Sequence, residues 1–113
     1  ERYLEAFRDH PHVESPMVRE GAVHAWHQFV VQVKDRDGFM AHMAEHAVST
    51  GIHYPIPCHL QPVFAAHPQA DDPGLRGTAT LCDRIVSLPV FPLLEDEEVD
   101  RVIDAVLAYS GAA

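Results

Sequence analysis

The sequence has few basic residues and no long hydrophobic run, and each shortage excludes a class of protein. Its 113 residues carry 8 Lys and Arg against 17 Asp and Glu, a formal net charge of −9 with histidine neutral. An acidic chain without a basic stripe repels phosphate backbones, so we expect no nucleic-acid binding. No apolar run approaches the ~18 residues that a membrane-spanning helix needs, so we expect no membrane insertion.

Cysteine is also scarce, since Cys58 and Cys82 are the only two. Two thiols do not make a disulfide framework, although a single bridge between them stays open. With no secretory leader in view, we predict reduced thiols and a cytoplasmic protein. The chain opens on Glu1 rather than on methionine and begins directly with a helical pattern. We therefore expect it to be the tail of something longer.

Apolar periodicity and chain breakers divide the chain into helical and extended segments of one domain. The order predicts an α/β (α+β-like) fold in which a small sheet is covered by helices. Proline and glycine between residues 63 and 77 predict a mobile loop. The predicted helices lie at 1–9, after Asp35 or Asp37, at 78–84 and at 95–109, and the predicted strands at 24–33, 52–54 and 85–88.

Nine histidines raise the question of a metal site. His42 and His46 have the i, i+4 spacing that lets two imidazoles share a zinc ion. They fall opposite the apolar stripe formed by Met40, Met43, Ala44 and Ala47, so we predict that they face water and bind no metal. His27 shares a strand face with Phe29 and Val31 and is predicted to be a buried core histidine.

The most informative stretch is GIHYPIPCHLQP, residues 51–62. Proline fixes φ and donates no backbone hydrogen bond, so three prolines in twelve positions exclude a helix and a central strand. The result is a stiff loop that presents His53, Tyr54 and His59. Functional residues often lie on loops carried by a rigid scaffold. The alternative is that the prolines only route a connection across the surface.

Three segments in order, HAWHQFVVQVKDRDGFMAHM, STGIHYPIPCHLQPVF and LCDRIVSLPVFPLLEDEEVDRVIDAVLAY, carry a resemblance that runs from about Tyr3 to Tyr109. They resemble the carboxy-terminal portion of the DegT/DnrJ/EryC1/StrS family of sugar aminotransferases, which depend on pyridoxal phosphate (PLP). The resemblance implies that residues 1–113 form the small domain of a fold-type I enzyme, with 1–9 as the end of an interdomain helix. It also implies transfer of an amino group, usually from glutamate, to a nucleotide-linked keto sugar.

The same resemblance implies which residues take part. His53, Tyr54 and His59 match positions that bind the substrate. The PLP lysine belongs to the large amino-terminal domain, which this sequence does not include. The only lysine, Lys34, has charged neighbours and is expected to be solvated, so the chain by itself should hold no PLP covalently. The implied partners are a nucleotide sugar, an amino-acid donor, the missing large domain and a second copy in a homodimer.

Two hypotheses about function remain open. The first is the carboxy-terminal domain of a sugar aminotransferase. The second is a free-standing module of the same fold that binds a nucleotide sugar or a partner aminotransferase without PLP chemistry. A domain cut from a larger enzyme should expose an apolar patch, for which the candidates are Trp26, Val30 and the stripe of Tyr3, Leu4 and Phe7.

Overall fold

A computed structural model describes residues 1–68 and 72–111, and its centre is a three-stranded antiparallel sheet with helices packed against it. The strands are β1 (Val13–Glu14), β2 (Phe29–Val33) and β3 (Ile85–Leu88), paired in that order. The α-helices are α1 (Arg2–Ala6), α2 (Arg36–Glu45), α3 (Arg76–Cys82) and α4 (Asp96–Leu107). The predicted fold class is confirmed.

β2 is the central strand because both of its edges find partners. Val13 of β1 lies opposite Val33, and Leu88 of β3 lies opposite Phe29. Phe29, Val31 and Val33 point to one face and are buried, while the alternate residues are only half-buried. This face forms the core with the helices, and its largest fully buried side chains are Phe7, Phe39, Met43, Val31, Val33, Val86 and Val106.

The predicted strand at 24–33 is too long at its start. Pairing ends where Leu88 lies opposite Phe29, and the next residue of the partner, Pro89, has no N–H to continue the ladder. Trp26 instead adopts a positive φ of 48°, and its backbone N–H donates to Nδ1 of His24. His27 is exposed, so its prediction as a core histidine is wrong.

Helix α2 begins as predicted and buries a different stripe. The carboxylate of Asp35 accepts a hydrogen bond from the Gly38 N–H at 3.0 Å, which makes Asp35 the N-cap. Met43 is buried with Phe39, whereas the predicted stripe residues Ala44 and Ala47 are exposed. The core contact therefore lies on the face that carries Phe39.

Because α2 buries the face that carries Phe39, the two helical histidines have a different environment from the predicted one. His42 is half-buried, and its Nε2–H donates to the carbonyl oxygen of Ala105 in α4 at 2.8 Å. The prediction that His42 faces water is therefore wrong, while His46 is exposed as predicted. Over residues 1–68 and 72–111, no cluster of three or more metal-binding side chains occurs.

Helix α4 confirms the prediction for residues 95–109, with shorter bounds. The Glu95 and Glu98 side chains exchange hydrogen bonds with each other's backbone N–H in a capping box. The apolar spacing of the helix predicts a buried stripe of Val99, Val102, Ile103, Val106 and Leu107. Val102, Ala105 and Val106 are buried in the structure, but Leu107 is 52% exposed.

The predicted apolar patch is corrected at its amino-terminal part. Tyr3 and Phe7 are buried and pack their rings against Phe29. Trp26 and Val30 are half-buried. Helix α1 therefore closes the core and leaves only part of the predicted patch at the surface.

The remaining predictions concern loops and thiols. Only Gly51, and not residues 52–54, pairs with β3, so the predicted short strand is absent from the described chain. Within the predicted loop at 63–77, the described residues include 3-10 turns at Pro62–Phe64 and Pro73–Leu75, and residues 69–71 lie outside them. Cys58 and Cys82 are free thiols, as predicted. No helix of the described segments could cross a membrane.

Candidate functional site

The stiff loop of residues 51–62, called the proline loop, is tied to the sheet at its first residue. Gly51 and Ser87 exchange two backbone hydrogen bonds, from the Gly51 N–H at 3.1 Å and from the Ser87 N–H at 2.7 Å. A Cβ at position 51 would lie 3.0 Å from Cε1 of His53, so the loop turns back closely on itself at this glycine. The bridge gives the start of the loop a fixed position on β3.

His53 is held by a side chain of β3, the strand that pairs with Gly51. Its Nδ1 lies 2.9 Å from Oγ of Ser87, the one buried polar residue of the described core. A serine hydroxyl both donates and accepts, so it satisfies either tautomer of the imidazole. His53 is otherwise exposed, and its Nε2 forms no hydrogen bond within residues 1–68 and 72–111. One edge of the ring is thus anchored and the other is available.

Tyr54 stands beside His53 and is 72% exposed. The two rings meet edge to face with centroids 6.0 Å apart. The Tyr54 hydroxyl has no hydrogen-bond partner among the described residues. The structure therefore brings an imidazole and a phenol together at the surface of the loop.

His59 lies on the following turn, Cys58–Leu60, and is half-buried. Pro57 is buried ahead of this turn, and the Gln61 side chain donates to the Ile56 carbonyl oxygen at 3.3 Å. These contacts brace the loop internally. No hydrogen bond or ring contact joins His59 to the other two predicted residues in the described chain.

A cleft of about 500 Å³ opens beside His53. Residues 47–51, the end of β3 and α4 form its walls, which include Phe91, Glu98 and Arg101. The buried Tyr3 hydroxyl donates to the carbonyl oxygen of Pro89 in this wall at 3.1 Å, and burial raises the pKa of Tyr3 to about 12. Tyr3 therefore remains a neutral donor at physiological pH.

Sequence reasoning missed Ser87 and Arg101. The signal for Ser87 was present, because a serine within the buried strand IVSL needs a hydrogen-bond partner. Arg101 lies on the polar side of a helix rich in charged residues, where nothing in the sequence separates it from its neighbours.

The residues present do not fit a covalent PLP site. A Schiff-base lysine works best when it is partly desolvated, which lowers its pKa. Lys34 is exposed, follows β2 and lies at the end of the β2–β3 pair away from His53. No step of a PLP reaction can be assigned to this chain's own side chains.

The fold is that of a segment of an aminotransferase chain. The model of the DegT/DnrJ/EryC1/StrS aminotransferase family matches residues 1–107. The chain belongs to this family, whose members are PLP-dependent sugar aminotransferases of fold type I.

Individual relatives agree with this assignment. The chain is 39% identical over 107 residues to the dTDP-3-amino-3,6-dideoxy-alpha-D-galactopyranose transaminase of Aneurinibacillus thermoaerophilus, covering 95% of this chain and 28% of that protein. Among solved structures, DesV of S. venezuelae, in complex with a ketimine intermediate, superposes with a TM-score of 0.85 at 31% identity, covering 94% of this chain and 28% of that one.

A third similar protein contains a form of the cofactor. The structure of NtdA from Bacillus subtilis with bound PMP superposes with a TM-score of 0.72 at 28% identity, covering 93% of this chain and 25% of that one. The chain therefore spans little more than a quarter of the length of the relatives it matches.

Proposed function

We propose that this chain is the small, carboxy-terminal domain of a cytoplasmic sugar aminotransferase that moves an amino group from glutamate to a nucleotide-linked keto sugar. In this proposal residues 1–113 are one domain, and α1 ends an interdomain helix. One observation carries it: the family match extends over an exposed His53–Tyr54 pair, in which a buried serine anchors the histidine. The named relative that acts on a dTDP-linked sugar supports the substrate class.

His53 and Tyr54 serve as hydrogen-bonding groups for the sugar or its phosphates. The free imidazole nitrogen donates or accepts according to the tautomer, and a phenol hydroxyl can do both, which suits hydroxyl and phosphate oxygens. Because Ser87 already orients the imidazole, binding costs less side-chain entropy than it would for a free histidine. His59 is the third proposed contact, on the next turn of the same loop.

The cofactor belongs to the missing large domain, which supplies the lysine and the acidic partner of the pyridine nitrogen. PLP supplies an electron sink when it is bound there. The contribution of this chain is to orient the substrate and to close one wall of the pocket. Lys34 plays no part in this chemistry, since it is exposed at the opposite end of the β2–β3 pair.

The large domain and a second copy in a homodimer are the proposed macromolecular partners. The proline loop and the turn that follows it carry a run of exposed apolar side chains, which is typical of a surface that another protein unit covers. We assign this surface to these partners in place of the α1 residues, which are buried. Its members are Tyr54, Ile56, Leu60, Val63 and Phe64, with exposed fractions from 44% to 81%.

The test uses the full-length polypeptide that contains this chain. With PLP, glutamate and a set of dTDP- and UDP-linked keto sugars, we expect 2-oxoglutarate to form in excess of the enzyme-bound PLP only when a keto sugar is present. His53→Gln and Tyr54→Phe should raise KM for the sugar about tenfold each, the loss expected for one hydrogen bond to a charged or polar group. His46→Gln, on the exposed side of α2, is the matched histidine control and should leave KM unchanged.

Other outcomes would contradict the proposal. If no keto sugar accepts the amino group, the assigned reaction is wrong. If the 113-residue chain alone binds a nucleotide sugar and the full-length polypeptide contains no PLP site, the free-standing binding module is correct instead.

A further inference from the structure

A second cleft, of about 690 Å³, lies at the opposite end of the β2–β3 pair from His53. Its walls are formed by the segment after α1, by β1, by the end of β2 and by the residues that follow α4. The two clefts have no lining residue in common. The charged and titratable side chains that line the second cleft are Arg8, His10, His12, Glu14, Lys34, Asp35, Arg84 and Tyr109.

Positive charge is concentrated here although the chain as a whole is acidic. Three of its eight Lys and Arg residues, Arg8, Lys34 and Arg84, line this one cleft. Within residues 1–68 and 72–111, Arg8 and Lys34 form no ion pair. Their charges are therefore available to an anion from solution.

The two carboxylates of the cleft do not cancel these charges fully. Asp35 uses its carboxylate as the N-cap of α2, where it accepts from the Gly38 N–H. Glu14 approaches Arg84 only to 4.0 Å and keeps a side chain that is 64% exposed. A bidentate guanidinium–carboxylate pair would be much closer, so the fork of Arg84 retains free donors.

Two buried polar atoms at this cleft also lack partners. Oγ of Ser15 and Nε of Arg84 are buried without a hydrogen bond within the described chain, and both side chains line the cleft. Nearly all buried polar atoms have a partner in protein, water or a bound ion. The protein itself therefore supplies no acceptor for the Nε–H of Arg84.

The histidines of the cleft organise its wall. Nδ1 of His10 accepts from the backbone N–H groups of His12 and Val13, at 3.2 and 3.1 Å. Burial and the neighbouring His12 lower the pKa of His10, so this ring stays a neutral acceptor near pH 7. The cationic side chains, and not His10, therefore supply the positive potential.

We propose that this cleft binds a small oxyanion with phosphate or carboxylate groups, held by Arg8, Lys34 and Arg84. A guanidinium fork matches two oxygens of either group, and an ammonium adds a point charge. Three cations from separate parts of the chain meet around one space large enough for a pyrophosphate or a tricarboxylate. The inference does not depend on the proposed transamination, because the two clefts are separate.

The test is a titration of the full-length polypeptide, ²H,¹⁵N-labelled, with pyrophosphate and, separately, with citrate. In about 100 mM salt, where long-range attraction is screened, we expect saturation with a Kd of about 1 mM or below. The shifted amide signals should be those of residues 12–15 and 34–35. Saturation by pyrophosphate alone identifies a phosphate ligand, and saturation by citrate alone identifies a carboxylate ligand.

Matched variants separate the site from general charge effects. Lys34→Gln and Arg84→Gln should each weaken binding about tenfold, as expected for one charge-assisted hydrogen bond. Arg19→Gln removes the same charge at an exposed position outside the cleft and should change Kd less than twofold. Lys34 is exposed, so its variant stays informative if Arg84→Gln is poorly folded. Calorimetry on the same polypeptide repeats the comparison by an independent measurement.

The inference is overturned if neither anion saturates the signals, or if the shifts fall outside the cleft. It is also overturned if Arg19→Gln weakens binding as much as Lys34→Gln, because the effect would then follow net charge alone. These results leave transamination by the full-length polypeptide untouched, so the two proposals fail separately.

Discussion

The imidazole of His53 and the hydroxyl of Ser87 lie 2.9 Å apart, although 34 residues separate them in the chain. Ser87 occupies the middle of β3, and its own backbone pairs with Gly51 at the start of the proline loop. The same residue therefore anchors the loop through its backbone and orients the proposed substrate group through its side chain.

Ser87→Ala tests this relationship. The backbone pairing with Gly51 should persist, while His53 loses the partner of its Nδ1. We expect the free energy of unfolding to fall by about 1 kcal/mol, the usual net value of one hydrogen bond, as measured by urea denaturation. In the full-length polypeptide, KM for the keto sugar should rise and kcat should change less. An unchanged KM would show that the orientation of His53 does not matter for binding.

Asp35→Ala tests which aspartate begins helix α2. Asp35 accepts from the Gly38 N–H, so its removal should lower the free energy of unfolding by about 1 kcal/mol. Asp37 is exposed in the first turn, where its carboxylate interacts with the helix dipole and with the neighbouring Arg36 at 3.6 Å, so Asp37→Ala should cost less, about 0.3–1 kcal/mol. Urea denaturation of both variants gives the comparison, and a larger loss for Asp37→Ala would contradict the observed cap.

Tyr3→Phe tests the effect of the raised pKa on stability. Burial raises the pKa of Tyr3 to about 12, above its ordinary value of 10.0. The folded state thus favours the protonated phenol, and this contribution is fully present below pH 10 and declines as the pH rises through 12. We expect the urea midpoint of the unmodified chain to fall over this range, and to fall less in Tyr3→Phe.

The matched control for that experiment is Tyr54→Phe, because Tyr54 is exposed. The urea midpoint of Tyr54→Phe should fall with pH as that of the unmodified chain does. Burial and the nearby Asp35 also raise the pKa of Tyr109. Tyr109 remains in every variant and accounts for a residual decline of the midpoint. Equal pH profiles for all three proteins would mean that Tyr3 ionises without cost to the fold.

Val106→Ala tests where helix α4 meets the core. Val106 is fully buried, so losing two methyl groups should lower the free energy of unfolding by about 2 kcal/mol. Leu107 follows it in the same helix but is 52% exposed, and Leu107→Ala should stay within about 0.5 kcal/mol. Denaturant midpoints at constant slope measure both effects. A larger loss at Leu107 than at Val106 would contradict the observed burial of Val106.

Local signals in the sequence predicted most of the elements. An aspartate cap at position 35 or 37 and the acidic start of α4 depend on interactions within a few residues, so they could be predicted from the chain, and the structure selects Asp35. The prolines around His53 excluded regular structure for the same reason. Periodicity was less reliable for α2, where alanines at 44 and 47 mimicked an apolar stripe although Phe39 and Met43 contact the core.

The sequence by itself determined the family, the positions of the helices and the stiff loop that carries His53 and Tyr54, because caps, breakers and motifs are local. Only the tertiary structure decided where β2 begins, that His27 is exposed and His42 half-buried, and which partner His53 finds. It also decided that Arg8, Lys34 and Arg84 meet around one cleft. These features depend on which distant residues come into contact, and that is settled when the sheet and helices pack together.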